Sequence, residues 1–461
     1  MSAGIFVVTS TGQGHLFPCI ELCNHLASRN YQTTLVLPSQ LSSSLPPSFL
    51  QNPLLRPAPI TAPARLMVPE SDPLRQQSAA ELEAYLSSTS DSVRILCAVV
   101  DFQMSWTKGI FWKFNIPVIG LFTFGACAAA MEWGAWKVDA GNIRPGESRT
   151  IPGLPEEMCV EYSDLKRRPG GPPRGIGGPP GPRPGGRGPP KPGDMPPWVP
   201  AIEGSIGLMF NTCDDLERPF LEYMGNQMGM PVWGVGPLLP EQYWKSLNSL
   251  IHDGQIRASK HESNFTEDHV IQWLESRQER SVLYVSFGSE VTPTTEEFHE
   301  LARALEDSNP PFIWAIKNSS ELAFLDELEK RVGKRGLIIR GWAPQLLILS
   351  HKSTGGFISH CGWNSTAEAV GLGVPILAWP IRGDQHYNAK LVVKQLKVGA
   401  MAVASERAGK EDIVKGIERV MGDEELRKRA GMLRRRFESG FPGSCEAAFE
   451  AFGKFISQRA T

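Results

Sequence analysis

Three groups of residues in this chain have types and spacings suited to chemistry. The first is Gly12-Gln13-Gly14-His15, directly after the apolar run Ile5–Val8 and before Leu16, Cys19, Leu22, Cys23 and Leu26, which repeat at helical spacing. Glycines there let the backbone turn sharply and leave His15 at a strand's carboxyl edge, where open α/β folds bind their ligands. A histidine titrates near neutral pH, so His15 is a candidate general base; a histidine that merely closes a turn is the competing reading. The second is Asp101, directly after the run Leu96–Val100. A carboxylate on the far ring nitrogen fixes an imidazole's tautomer and stabilises the imidazolium, but Asp at this position also serves as a helix cap. The third lies within the 44 residues from Trp342 to Gln385, where Phe357-Ile358 leads into His360-Cys361-Gly362-Trp363-Asn364-Ser365. The pattern predicts a helix beginning there, with Ser365 and Glu368 at capping-box spacing and Gly371, Gly373 and Pro375 ending it. A helix start after a glycine turn offers free N–H groups to a diphosphate, with His360 and Asn364 at the same edge.

These residues need strands to hold them. The first half supplies the runs Ile5–Val8, Thr33–Leu37, Leu96–Val100 and Val118–Phe122. The second supplies Val282–Phe287, Phe312–Ile316, Leu337–Ile339, Phe357–Ile358, Ile376–Trp379 and Met401–Val403. Continuous apolar runs separated by helical patterns read as parallel strands covered on both faces, and two sets mean two doubly wound α/β domains. The break is placed near Val232 to Glu241, where Gly234, Gly236, Pro237 and Pro240 interrupt any regular element. The domains expected are therefore 1–236 and 237–440, followed by a terminal helix over 441–461. One segment fits neither sheet: Pro169 to Pro197 holds 12 Pro and 10 Gly in 29 residues. That composition predicts a mobile insertion with polyproline character.

Composition narrows the partners. In 461 residues, 47 Lys and Arg face 49 Asp and Glu, a net charge of −2, which argues against nucleic acid. The opening residues lack a basic n-region and a long apolar core, so no signal peptide is expected. No run reaches about 18 apolar residues, so no membrane span is expected either. The eight cysteines occur without CxxC pairs, which reads as reduced thiols and a cytoplasmic protein.

The Trp342–Gln385 block, with WAPQ at its start, HCGWNS at its centre and DQ at its end, resembles the signature box of the plant secondary-product glycosyltransferases of family 1. Gly12-Gln13-Gly14-His15-Leu16-Phe17-Pro18 matches the GxGHxxP pattern of that family, and Val285–Ser289 matches its VSFGS. The resemblance implies the GT-B arrangement of two facing Rossmann-like domains, with UDP-sugar bound mainly by the C-terminal half and acceptor by the N-terminal half. It also implies that the helix at 441–461 packs back on the N-terminal domain. By resemblance Trp342 stacks on uracil, the Ala343 backbone pairs with its edge, and Gln345 and Glu368 hold ribose hydroxyls. Ser289, His360, Asn364 and Ser365 surround the diphosphate. Trp363, Asp384 and Gln385 hold the sugar, and Thr123 reaches it from the other domain.

His15 then becomes the base and Asp101 its partner in a single inverting displacement, with no metal or other cofactor. Gln385, whose amide can donate to and accept from two adjacent hydroxyls, resembles members that use UDP-glucose. Gln13, Phe102 and Phe122, with Met104, Trp106 and Phe124, suit a flat aromatic acceptor such as a flavonoid, and a monomer is expected. Transfer to an aromatic carbon, or to a terpenoid or steroid hydroxyl, stays open. An oxidoreductase would need the third glycine of GxGxxG, which is missing here.

Overall fold

Apolar runs bounded by turn residues become strands in this computed structural model, which describes residues 2–61, 70–88, 93–166, 191–245, 249–253, 263–317, 322–402 and 409–459. In chain order the first strands are β1 (Ser2–Val8), β2 (Gln32–Pro38), β3 (Leu55–Ile60), β4 (Val93–Asp101) and β5 (Val118–Phe122). A short antiparallel pair follows, β6 (Ser148–Arg149) with β7 (Val160–Glu161). Next come β8 (Leu208–Phe210), β9 (Val232–Gly234), β10 (Val282–Ser286) and β11 (Phe312–Ile316). The last are β12 (Gly336–Arg340), β13 (Thr354–Ser359), β14 (Ile376–Ala378) and β15 (Gly399–Met401). Among the described residues they form one sheet in the order β3-β2-β1-β4-β5-β8-β9 and a second in the order β12-β11-β10-β13-β14-β15. Both are wholly parallel.

In each sheet the chain starts near the middle, winds one way, then returns to wind the other. The switch falls between β1 and β4 in the first sheet, where Val8 pairs with Val100, and between β10 and β13 in the second, where Ser286 pairs with Ser359. The carboxyl ends at a switch point splay apart, and a doubly wound sheet binds its ligands there.

Side-chain alternation explains why these runs are apolar throughout. Ile5 and Val7 pack on one face, against Leu16, Leu22 and Leu26 of the helix Gln13–Ala27 and against Phe449, Phe452 and Ile456 of the helix Gly443–Arg459. Phe6 and Val8 pack on the other, with Leu82, Leu86, Ile110 and Phe111. In the second sheet Leu283 and Val285 join Leu301, Leu305, Ile413 and Ile417. A strand covered on both faces has no position for a polar residue to escape to.

Two compact units result. One comprises Met1–Ala130, Pro196–Glu241 and Phe441–Thr461, and the other Met131–Met195 and Gln242–Gly440. The described residues 131–166 and 191–195, taken above with the N-terminal half, fall in the second unit. The buried Lys390 shows one of their ties there, donating to Asp164 Oδ2 at 2.7 Å and to the Cys159 carbonyl.

Several strands escape the sequence reading. β3 carries Pro57 and Pro59 but lies at the sheet edge, where a missing N–H is tolerated. β8 and β9 have only three residues each, and β9 occupies the stretch read above as a break. The run expected at Met401–Val403 is displaced: β15 is Gly399–Met401, with Gly399 so close to β14 that a Cβ would stand 2.3 Å from the Ile376 oxygen. Val403 lies outside the described residues, as does most of the Pro/Gly insertion. The end of that insertion is ordered. Pro192 and Pro196 are buried, Lys191 N donates to Asp194 Oδ2 at 2.9 Å, and Gly193 (φ 97°) presses on Gly141 so closely that only a glycine fits. Mobility up to Pro197 is therefore corrected.

Candidate active site

In the first unit, β1 ends at the buried pair Thr9-Ser10, and Gly12 adopts φ 97°, as the N-cap of the helix Gln13–Ala27. Gly12 therefore makes the turn. Gly14 does not, since a Cβ there would meet nothing within 4 Å. His15, in the helix's first turn, directs Nδ1 at Asp101 Oδ2, 2.6 Å away, because β4 lies beside β1 at the switch point. Asp101 is fully buried, and its second oxygen accepts the Gln103 N–H at 3.0 Å. One oxygen caps the turn after β4 and the other meets the imidazole.

Thr123, just beyond β5, is also here, with Oγ1 3.0 Å from His15 Nδ1. Its carbonyl accepts from Asn211 Nδ2 at 2.9 Å, and Asn211 Oδ1 accepts the Leu238 N–H at 2.6 Å, so the turn after β5 is tied across the sheet. The helix Ala126–Lys137 begins next, and the buried Glu217 accepts the N–H groups of Ala126 and Cys127 at 2.7 and 3.0 Å. Burial pushes this carboxyl from 4.5 up to about 7, while those two N–H bonds pull it down. Phe122 is corrected from acceptor contact to core. It is 0% exposed, stacked on Phe210 at 4.5 Å and on Phe102 at 5.4 Å. Phe102, Phe124, Trp106 and Gln13 are only half-buried, whereas Met104 is buried.

In the second unit the helix at the phosphate-type turn runs from Trp363 to Gly371, three residues earlier than a capping box with Ser365 as N-cap predicts. Gly362 is its N-cap and no side chain caps it, so the capping-box reading of Ser365 and Glu368 is corrected. Both instead face Gln345, whose Nε2 donates to Ser365 Oγ at 3.0 Å and to Glu368 Oε2 at 2.7 Å. Tyr284, on β10, donates its hydroxyl to Gln345 Oε1 at 3.3 Å. Trp342 and Ala343 precede Gln345 on a half-buried loop.

His360 sits at the end of β13, enclosed by glycines. A Cβ at Gly288 (φ 71°) would lie 2.7 Å from its ring, and one at Gly362 only 2.4 Å. Burial lowers its pKa to about 4, so it is neutral at pH 7, and its Nδ1 is buried without a partner among the described residues. A buried ring nitrogen left this way fits a site whose ligand supplies the missing partner. Ser289 is exposed on the loop after β10, Asn364 is half-buried and Trp363 is buried. Asn388 donates from Nδ2 to the Cys361 carbonyl at 2.9 Å and to Asp384 Oδ2 at 2.8 Å. It thereby links the left-handed Cys361 (φ 60°) to the carboxylate at the start of the next helix. Gln385 uses Oε1 to accept the N–H groups of Ile381 and Arg382 at 3.0 and 2.9 Å. Its oxygen closes its own loop, so only the amide N–H groups are left to donate to a ligand.

Tyr284, Asn388, Asn211 and Glu217 are missed by the sequence reading. Two carried a signal: Tyr284 is an aromatic hydroxyl inside the run Val282–Phe287, and Asn388 follows Asp384 by one helical turn. Among the described residues no three His, Cys, Asp or Glu side chains group as metal ligands, and no helix is long and apolar enough to cross a membrane.

Two switch-point sites, one carrying a histidine–aspartate pair and the other a glycine-walled turn at a helix start, define a GT-B glycosyltransferase that takes a nucleotide-sugar donor. The family profile described as UDP-glucoronosyl and UDP-glucosyl transferase matches residues 238–437. Scopoletin glucosyltransferase of Nicotiana tabacum is 30% identical over 93% of this chain and 92% of its own length. Flavonol 3-O-glucosyltransferase UGT89B1 of Arabidopsis thaliana is 32% identical over 86% of this chain and 83% of its own. Among solved structures, Medicago truncatula UGT71G1 complexed with UDP-glucose aligns with TM-score 0.72 and 21% identity, covering 100% of this chain and 99% of that one. Glycyrrhiza uralensis UGT73P12 complexed with glycyrrhetinic acid 3-O-monoglucuronide aligns with TM-score 0.76 and 24% identity, covering 99% and 96%. The chain belongs to the plant family 1 UDP-glycosyltransferases and is a hexosyl-transferring enzyme.

Proposed function

We propose that this enzyme moves glucose from UDP-glucose to a hydroxyl of a small aromatic metabolite, a flavonoid or related phenolic, with inversion at the anomeric carbon. The observation that carries the reading is the 2.6 Å contact between His15 Nδ1 and the buried Asp101. It fixes the proton on Nδ1 and directs basicity to Nε2, the ring nitrogen on the far side. The acceptor oxygen attacks the anomeric carbon as its proton passes to Nε2. The carbon–oxygen bond to the diphosphate breaks, and UDP leaves with the electron pair.

Roles in the donor site follow from chemistry. Trp342 offers an aromatic face and Ala343 a backbone edge to uracil; Glu368, held by Gln345, accepts from the ribose diol. His360 serves the diphosphate as a ring N–H donor together with Ser289, Asn364, Ser365 and the helix start. Asp384 and the Gln385 amide hold glucose hydroxyls, with Trp363 behind them. Thr123 supports His15 through its hydroxyl, 3.0 Å from Nδ1. Displacement of this kind asks no metal of the protein. Gln13, Phe102, Phe124 and Trp106 form the acceptor surface.

Buried thiols stay reduced in the cytosol, which we take as the compartment, with a monomer as the working unit. Incubation with UDP-glucose, UDP-galactose and a panel of flavonoids and coumarins, with products identified by mass, tests the function. A product heavier by one hexose, made best from UDP-glucose and cleaved by β-glucosidase, is expected. Products made only on terpenoids, or only at carbon, would replace the acceptor reading.

A further inference from the structure

Tyr284 is a hydroxyl buried in the core of a parallel sheet, where a phenylalanine would pack equally well. Its ring stacks on Phe357 at 4.9 Å and 18°, and it is 1% exposed. A polar atom so placed needs a partner, and Gln345 Oε1 provides one at 3.3 Å. The consequence lies on the other side of the amide. With Oε1 held by a donor, Gln345 must turn Nε2 toward Ser365 and Glu368, 3.0 and 2.7 Å away. Flipped, the amide would set its carbonyl against the Glu368 carboxylate, two acceptors face to face.

We propose that Tyr284 is a positioning residue for the donor's ribose. Through Gln345 it fixes the rotamer of Glu368, and with it the orientation of the carboxylate toward the ribose diol. The inference rests on the reading of Glu368 as the ribose acceptor. It adds a determinant on β10 that no contact with the ligand would reveal.

Binding of UDP and of 2′,3′-dideoxy-UDP, measured calorimetrically on wild type and Tyr284→Phe, tests it. One neutral hydrogen bond corresponds to about a three- to tenfold change in affinity. Tyr284→Phe is expected to bind UDP that much more weakly, raise KM for UDP-glucose in proportion, leave kcat unchanged, and bind dideoxy-UDP as wild type does. Gln345→Leu must reproduce the loss of discrimination, which guards against a packing defect peculiar to the strand. Equal weakening toward both nucleotides, or undiminished discrimination in Tyr284→Phe, overturns the role of Tyr284 alone. Wild type that binds UDP and dideoxy-UDP equally overturns the ribose reading of Glu368, and the inference with it.

Discussion

At the scale of single residues, chemistry is settled by which atoms of a side chain are already occupied. Gln385 illustrates this. Its residue type suggests an amide that both donates and accepts at the sugar, yet Oε1 is taken by the N–H groups of Ile381 and Arg382. Only the –NH₂ end is available for a ligand, and it is aimed by that clasp. An imidazole is shorter and cannot close the loop and reach a hydroxyl together. Gln385→His is therefore expected to lower UDP-glucose turnover more than UDP-galactose turnover; equal losses on the two donors would reduce Gln385 to a loop clasp. His15 and Asp101 were legible because each follows an apolar run at the edge where doubly wound sheets bind ligands. Their contact was not, since 86 residues separate them and only the pairing of β1 with β4 joins them. Thr123 and Asn211 were invisible as partners for the same reason.

At the scale of elements, legibility follows length and cover. Long strands buried on both faces stand out, whereas β8 and β9 hold three residues each and β3 hides behind Pro57 and Pro59. The helix Trp363–Gly371 was placed three residues late because Ser365 and Glu368 imitate a capping box; their side chains meet Gln345 instead. The helix Ala126–Lys137 shows the opposite case, with Glu217, 91 residues on, accepting its first N–H groups. Folding raises the pKa of Glu217 from 4.5 to about 7. Between those values the folded chain holds a proton that the unfolded chain releases, so this group's contribution to stability falls as pH rises. The full effect is on the order of 3 kcal/mol. Glu217→Gln does not titrate, so its melting temperature relative to wild type should rise from pH 5 to pH 7.5. A difference that stays constant with pH would contradict the assignment.

At the scale of the whole molecule, two Rossmann-type units repeat one plan, with the His15–Asp101 pair at one switch point and the His360 turn at the other. The alternation of apolar runs and helical patterns made that plan readable; the membership of residues 131–166 in the second unit was not, because it depends on ties such as Lys390 to Asp164. Replacing residues 169–190 with a short Gly/Ser linker should leave the melting temperature nearly unchanged, since loop closure costs only about 0.6 kcal/mol per doubling of length. Extending the replacement through Pro197 removes Gly193 from Gly141 and the buried Pro192 and Pro196, and should lower it. Equal melting temperatures for both replacements would show that the turn at 191–197 contributes nothing. The central claim is that His15 is the general base. It is tested most directly by measuring, for His15→Ala, both turnover on an acceptor with an un-ionised hydroxyl and affinity for UDP. The account predicts turnover lower by about 10²–10⁴-fold with UDP affinity unchanged, and a smaller loss for Asp101→Ala. Wild-type turnover in His15→Ala would contradict it.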